Sequence, residues 1–136
     1  MNVVIDASAA VGLVLAFPDT EIFTPLLEQA ALVTAPDLYI AEVSNAIWKY
    51  RKADFLPMER CELRLEQAVS LPDRIESSSA LYQEAFALAC RHLHPVYDAI
   101  NLILARRTNA TILTMDRRLA VLAAQLEIKV IITSKP

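Results

Sequence analysis

Apolar positions along the chain form two kinds of run. Short continuous runs rich in β-branched residues alternate with longer stretches of helical periodicity. Val3, Val4 and Ile5 make the first short run, as expected of a strand buried on both faces of a parallel sheet. Residues 32–35, 74–77, 110–115 and 129–133 read as four further short strands. Between them lie predicted helices. The first covers residues 9–17, capped by Ser8 and stopped by Pro18. A second starts at a Thr20 cap and runs to about residue 31. Residues 39–53 repeat apolar side chains at Ile40, Val43, Ile47 and Tyr50. Further helices are expected over residues 57–71, 79–92, 96–108 (behind Pro95) and 117–126. Strands alternating with helices predict a parallel α/β sheet with crossover connections, the first strand near its middle.

Ligands of open α/β sheets bind beyond the carboxyl ends of the strands. Two acidic residues stand there. Asp6 follows the first strand and Asp116 follows the fourth. If those strands are parallel neighbours, the carboxylates lie side by side and repel, a conflict a divalent cation removes. Each could equally cap the helix that follows it. Glu42 stands in an otherwise apolar helix, with Asn45 three residues on and on the same face. That pair could face the strand ends or, with Lys49 and Lys52, form a solvated stripe. Asp98 and Asn101 repeat the spacing in a helix that is apolar on nearly every side. Asp98 suits the helix dipole there, and it also opens a buried helix toward the layer where strands end. Ser8 and Thr114 each lie two residues from a strand-end acid and could hydrogen-bond ligands or metal-bound water. Four carboxylates on four elements suit Mg2+ or Mn2+, and such a site supports phosphodiester hydrolysis.

Composition narrows the field. A length of 136 residues suits a single domain over 1–136. The hydrophobic share, 55%, leaves apolar surface for an oligomer or a bound protein. Gly12 is the only glycine, which excludes Gly-rich phosphate loops and dinucleotide fingerprints. A net charge of −3 restricts any nucleic-acid contact to a local patch. Arg117 and Arg118 could hold RNA phosphates, as could Arg106 and Arg107, although solvated charge explains them too. Lys49, Arg51, Lys52, Arg60 and Arg64 read mainly as solvated surface. His92 and His94 lack companion ligands for zinc. Trp48, Tyr50 and Phe55 suit either the core or a partner helix. Cys61 and Cys90 are expected to be two buried thiols in a reducing compartment. No secretory signal is visible, and the longest apolar stretch, residues 7–17, is too short to span a membrane. A cytoplasmic protein is expected.

The segments Val4-Ile5-Asp6-Ala7-Ser8, Glu42-Val43-Ser44-Asn45-Ala46, Tyr97-Asp98-Ala99-Ile100-Asn101 and Thr114-Met115-Asp116-Arg117-Arg118-Leu119 resemble the four acidic motifs of PIN-domain ribonucleases. Their order and the chain length resemble a VapC-type toxin of a toxin–antitoxin pair. The resemblance implies a three-layer α/β/α sandwich around a five-stranded parallel sheet. It also implies Mg2+- or Mn2+-dependent endoribonuclease activity, a homodimer and a cognate antitoxin. Asp6, Glu42, Asp98 and Asp116 would be the metal-site acids, supported by Ser8, Asn45 and Thr114. Asn101 departs from the pattern, since many members carry an apolar or aromatic residue there. Three other readings compete. A receiver-like signalling domain would use Lys135, but it needs an adjacent acidic pair after strand one. A phosphatase with an aspartate nucleophile needs an acid where Ser8 stands. In a non-catalytic α/β binding module the acids would only cap helices.

Overall fold

The computed structural model describes residues 1–133. Five strands form one sheet: β1 (Asn2–Ile5), β2 (Leu32–Pro36), β3 (Arg74–Glu76), β4 (Ala110–Thr114) and β5 (Val130–Ile132). Their order is β3-β2-β1-β4-β5, and every neighbouring pair is parallel. The chain runs from β1 outward through β2 and β3, then crosses to the other side of β1 for β4. That reversal makes the β1/β4 boundary the switch point, where the connections diverge and leave a crevice above the strand ends.

Seven helices cover the sheet: α1 (Ala7–Val14), α2 (Phe23–Gln29), α3 (Leu38–Lys52), α4 (Met58–Val69), α5 (Tyr82–His92), α6 (Val96–Thr108) and α7 (Arg117–Gln125). The pleat sorts β1 between two cores. Val3 and Ile5 pack with Ala10, Phe23, Tyr39, Val43 and Cys61 on the α1–α4 side. Val4 packs with Ala85, Leu88, Leu102, Ile103 and Leu119 on the α5–α7 side. Val3, Val4 and Ile5 are all fully buried, as a central strand requires. Among the described residues no helix is long and apolar enough to cross a membrane.

Four local readings of the sequence need correction. Ser8 does not cap α1. The helix starts at Ala7 with Asp6 in the N-cap position, so Ser8 lies in the first turn and its hydroxyl is free to reach β4. The helix also stops early, at Val14, because Ala16 turns left-handed at φ 56° and Phe17 N–H closes onto the Gly12 carbonyl at 2.8 Å. Thr20 is buried and ties down that turn, donating to the Phe17 carbonyl at 2.7 Å, and it opens a short 3-10 segment rather than a long helix. Finally, Cys61 is buried but Cys90 is exposed, on the outer face of α5.

Gly12 has a packing reason. A Cβ there would lie 2.4 Å from Met115 Sδ and 3.1 Å from Thr20 Cγ2. Alanine in a helix gains about 0.5–1 kcal/mol over glycine, whereas overpacking a core costs about 1–3 kcal/mol. Gly12→Ala is therefore expected to destabilise the protein by about 1 kcal/mol, lowering Tm by about 3–5 °C in a calorimetric scan. A Tm equal to or above wild type would contradict this packing.

Candidate functional site

Asp6 ends the central strand. Its N–H continues the β1–β4 ladder by donating to the Leu113 carbonyl at 3.0 Å, and its side chain is 7% exposed. A buried carboxylate needs hydrogen-bond donors. Ser8 Oγ and Thr114 Oγ1 both donate to Asp6 Oδ2, each at 2.7 Å. The two hydroxyls are aimed by backbone. Met115 N–H donates to Ser8 Oγ at 2.8 Å, and Asp116 N–H donates to Thr114 Oγ1 at 2.9 Å. Each hydroxyl accepts from the β4–α7 turn and gives its proton to Asp6. The turn that carries Asp116 is thereby fastened to Asp6.

Asp116 also caps α7. Its Oδ1 accepts from Arg118 N–H at 2.9 Å and Leu119 N–H at 3.3 Å. The capping reading of the sequence therefore holds for Asp116, while Asp6 occupies an N-cap position without capping anything through its side chain. Asp98 lies in the first turn of α6, and its Oδ2 meets His94 Nε2 at 2.8 Å. Glu42 projects from α3 into a groove of about 430 Å³ shared with Ser8, Val11, Asn45, Lys49 and Met115.

The four acids act on one another. Burial pushes the Asp6 pKa up, Ser8 and Thr114 pull it down, and Asp98 and Asp116 raise it further. Burial likewise raises Glu42 to about 7, with added repulsion from Asp6 and Asp98. Asp98 is raised by burial and by Asp116, against relief from His94 and Arg118. Acids from four elements thus converge on the switch point. Among the described residues, however, no three His, Cys, Asp or Glu side chains are gathered to hold one ion directly. An all-oxygen anionic set of this kind matches Mg2+, which keeps several waters and takes only one or two carboxylates directly.

A PIN domain model matches residues 3–125. The chain belongs to the PIN-domain family. It is 32% identical over 122 residues to Ribonuclease VapC3 of Pyrobaculum aerophilum, covering 88% of this chain and 93% of that relative. Among solved structures, PAE2754 from Pyrobaculum aerophilum superposes with a TM-score of 0.74 at 20% identity, over 96% of this chain and 83% of the other. Mycobacterium tuberculosis VapC20, a sarcin-ricin loop cleaving toxin, gives 0.66 at 14% identity, over 88% and 94%. The α/β/α sandwich expected from the sequence is the fold shared with these PIN structures, and the chain is a homologue of the VapC ribonucleases.

Within this PIN fold the remaining candidates separate. Arg117 and Arg118 line a groove of about 670 Å³ beside Asp116. Arg106 and Arg107, expected near the acids, lie at the opposite end of α6 from Asp98. There Thr108 O accepts from Asn2 Nδ2 at the start of β1, and Arg107 is tied to Glu84 and the Ala80 carbonyl. Eight helical residues separate Asp98 from Arg106, about 12 Å of rise, so this pair is not beside the acids. Asn45 is exposed at the groove, whereas Asn101 is buried one turn beyond Asp98 with its Oδ1 unpartnered. Sequence reasoning missed His94 as the partner of Asp98. The signal was the i,i+4 spacing across Pro95. The receiver-like reading placed Lys135 at its site, which lies outside the described residues.

Glu42 makes the stability of the metal-free protein pH-dependent. Its carboxyl titrates near 7 when folded and near the ordinary 4.5 when unfolded. Below about pH 4.5 both states hold the proton and Glu42 carries no penalty. Between these values only the unfolded state ionises, so stability falls as pH rises. In EDTA, Glu42→Gln should therefore melt above wild type at pH 8, with the gap closing by about pH 4.5. A gap independent of pH, measured by thermal denaturation, would contradict a carboxyl raised by burial and by its acidic neighbours.

Proposed function

We propose that the protein is a Mg2+- or Mn2+-dependent endoribonuclease, the toxin of a toxin–antitoxin pair. The convergence of Asp6, Glu42, Asp98 and Asp116 on the β1/β4 switch point carries this reading. The relationship to Ribonuclease VapC3 supports RNA as the substrate. Asp6, Asp98 and Asp116 would hold the cation, directly or through water. When bound, the ion supplies an activated water and neutralises charge on the phosphate.

The chain does the rest. Glu42, whose carboxyl titrates near neutrality, orients the attacking water and accepts its proton. Ser8 and Thr114 hold Asp6 Oδ2, which leaves Oδ1 for the ion. Asn45 extends the Glu42 face, and Arg117 and Arg118 hold RNA phosphates beside Asp116. Asn101, buried one turn beyond Asp98, supports the site from the same helix. An uncontrolled nuclease harms its own cell, and the exposed side chains of Trp48, Phe55, Met58 and Leu63, on α3, α4 and the turn between them, offer apolar surface for an antitoxin. The exposed Tyr82 and Phe86, one turn apart on α5, suit a homodimer contact. An RNA substrate is consistent with a cytoplasmic protein.

The experiment is cleavage of an RNA panel by purified protein. Asp6→Asn keeps an oxygen for the Ser8 and Thr114 hydroxyls, so it should fold normally by circular dichroism while losing cleavage. Ser8→Ala and Thr114→Val should each lose about 10–100-fold. EDTA should abolish activity and added Mn2+ restore it. Wild-type cleavage rates in Asp6→Asn, or cleavage in EDTA, would overturn the assignment.

A further inference from the structure

His94 sits in the corner between α5 and α6. Leu93 ends α5 in the left-handed region at φ 52°, and His94 N–H returns to the Ala89 carbonyl at 3.1 Å. Pro95 follows, fixing its own φ and restricting the residue before it. Pro95 also opens α6, its carbonyl accepting from Ala99 N–H at 3.2 Å. The histidine backbone is therefore held on both sides. Its side chain, only 10% exposed, reaches one turn into α6 and meets Asp98 Oδ2 at 2.8 Å.

The contact is specific to one oxygen of one acid. Among the described residues, Asp98 makes its single side-chain ion-pair contact with His94, and Asp6 is the only other acid of the four whose carboxylate is held by neighbouring side chains. Asp6 is fixed by two hydroxyls from β4 and α1. Asp98 has no such hydroxyl, and Nε2 of His94 stands in that place against Oδ2. Without it, a carboxylate beside Asp6 and Asp116 would rotate away from the like charges.

We propose that His94 is a positioning residue that locks the Asp98 carboxylate by its Nε2–H, so that the free Oδ1 is presented to the divalent cation. The inference rests on the metal-dependent reading above and adds a residue to it. Groups behind metal ligands set their orientation, and removing one costs about 10–100-fold in metal affinity.

The test is Mn2+ affinity, measured by calorimetry without RNA. His94→Phe fills the corner with a ring that cannot donate. His94→Gln changes the shape but keeps an N–H at similar reach. His94→Phe should weaken Mn2+ binding about 10–100-fold, and His94→Gln should stay within about threefold of wild type, with both variants checked for fold by thermal melting. Equal losses for Phe and Gln would show a packing role and overturn the proposal. So would unchanged binding by His94→Phe. Failure of wild type to bind Mn2+ would instead overturn the metal reading on which the proposal stands.

Discussion

The carboxylate of Asp6 is buried at the end of the central strand, and the architecture around it follows from keeping it there. Desolvation alone would neutralise such a group. Ser8 and Thr114 oppose that by donating to a single oxygen, and each is aimed by an N–H of the β4–α7 turn. The same bonds join α1 to β4 and bring Asp116 to its place. Gly12 belongs to this arrangement, because the absence of a Cβ lets Met115 pack against α1 while its N–H holds Ser8. Local sequence, strand pairing and site geometry thus share one small network.

The cost is electrostatic. Asp6, Glu42 and Asp98 all sit above the ordinary carboxylate range, through burial first and mutual repulsion second. A domain with two well-packed cores can carry such a cluster. Val3, Val4, Ile5, Ile112 and Leu113 are fully buried beneath it. The stability invested in the sheet holds the acids at a spacing they would not choose, which is how strained functional sites persist. Asp116 shows how one residue meets both demands. Its Oδ1 stabilises α7 as a cap, and its charge still reaches Asp6 and Asp98.

Much of this was legible in the sequence because its period and chemistry were unambiguous. Val3-Val4-Ile5 could only be a doubly buried strand, and the alternation of strands and helices set a parallel sheet with β1 inside it. The acids were legible as chemistry, since carboxylates at strand ends face a crevice. What failed was local. Ser8 reads as a cap from its neighbours, yet its partners are Asp6, Thr114 and Met115, the latter two more than 100 residues away, and no local rule sees them. The Phe17–Thr20 turn depends on a left-handed alanine that propensity does not foresee. Arg106 and Arg107 follow Asp98 closely in sequence, but the rise of a helix carries them to the opposite end of the strands. His94 lacks companion ligands for zinc, and its partner is instead the carboxylate four residues on.

A calorimetric titration of Mn2+ into wild type, Asp6→Asn and Asp116→Asn tests the central claim most directly. Asparagine caps a helix as well as aspartate does, so Asp116→Asn keeps α7 intact and removes only the charge. The account predicts that wild type binds and that both variants lose binding, which places two strand-end acids in one cation site. Binding by Asp116→Asn equal to wild type would reduce Asp116 to a helix cap, and no binding by wild type would leave the four acids without the cation their convergence implies.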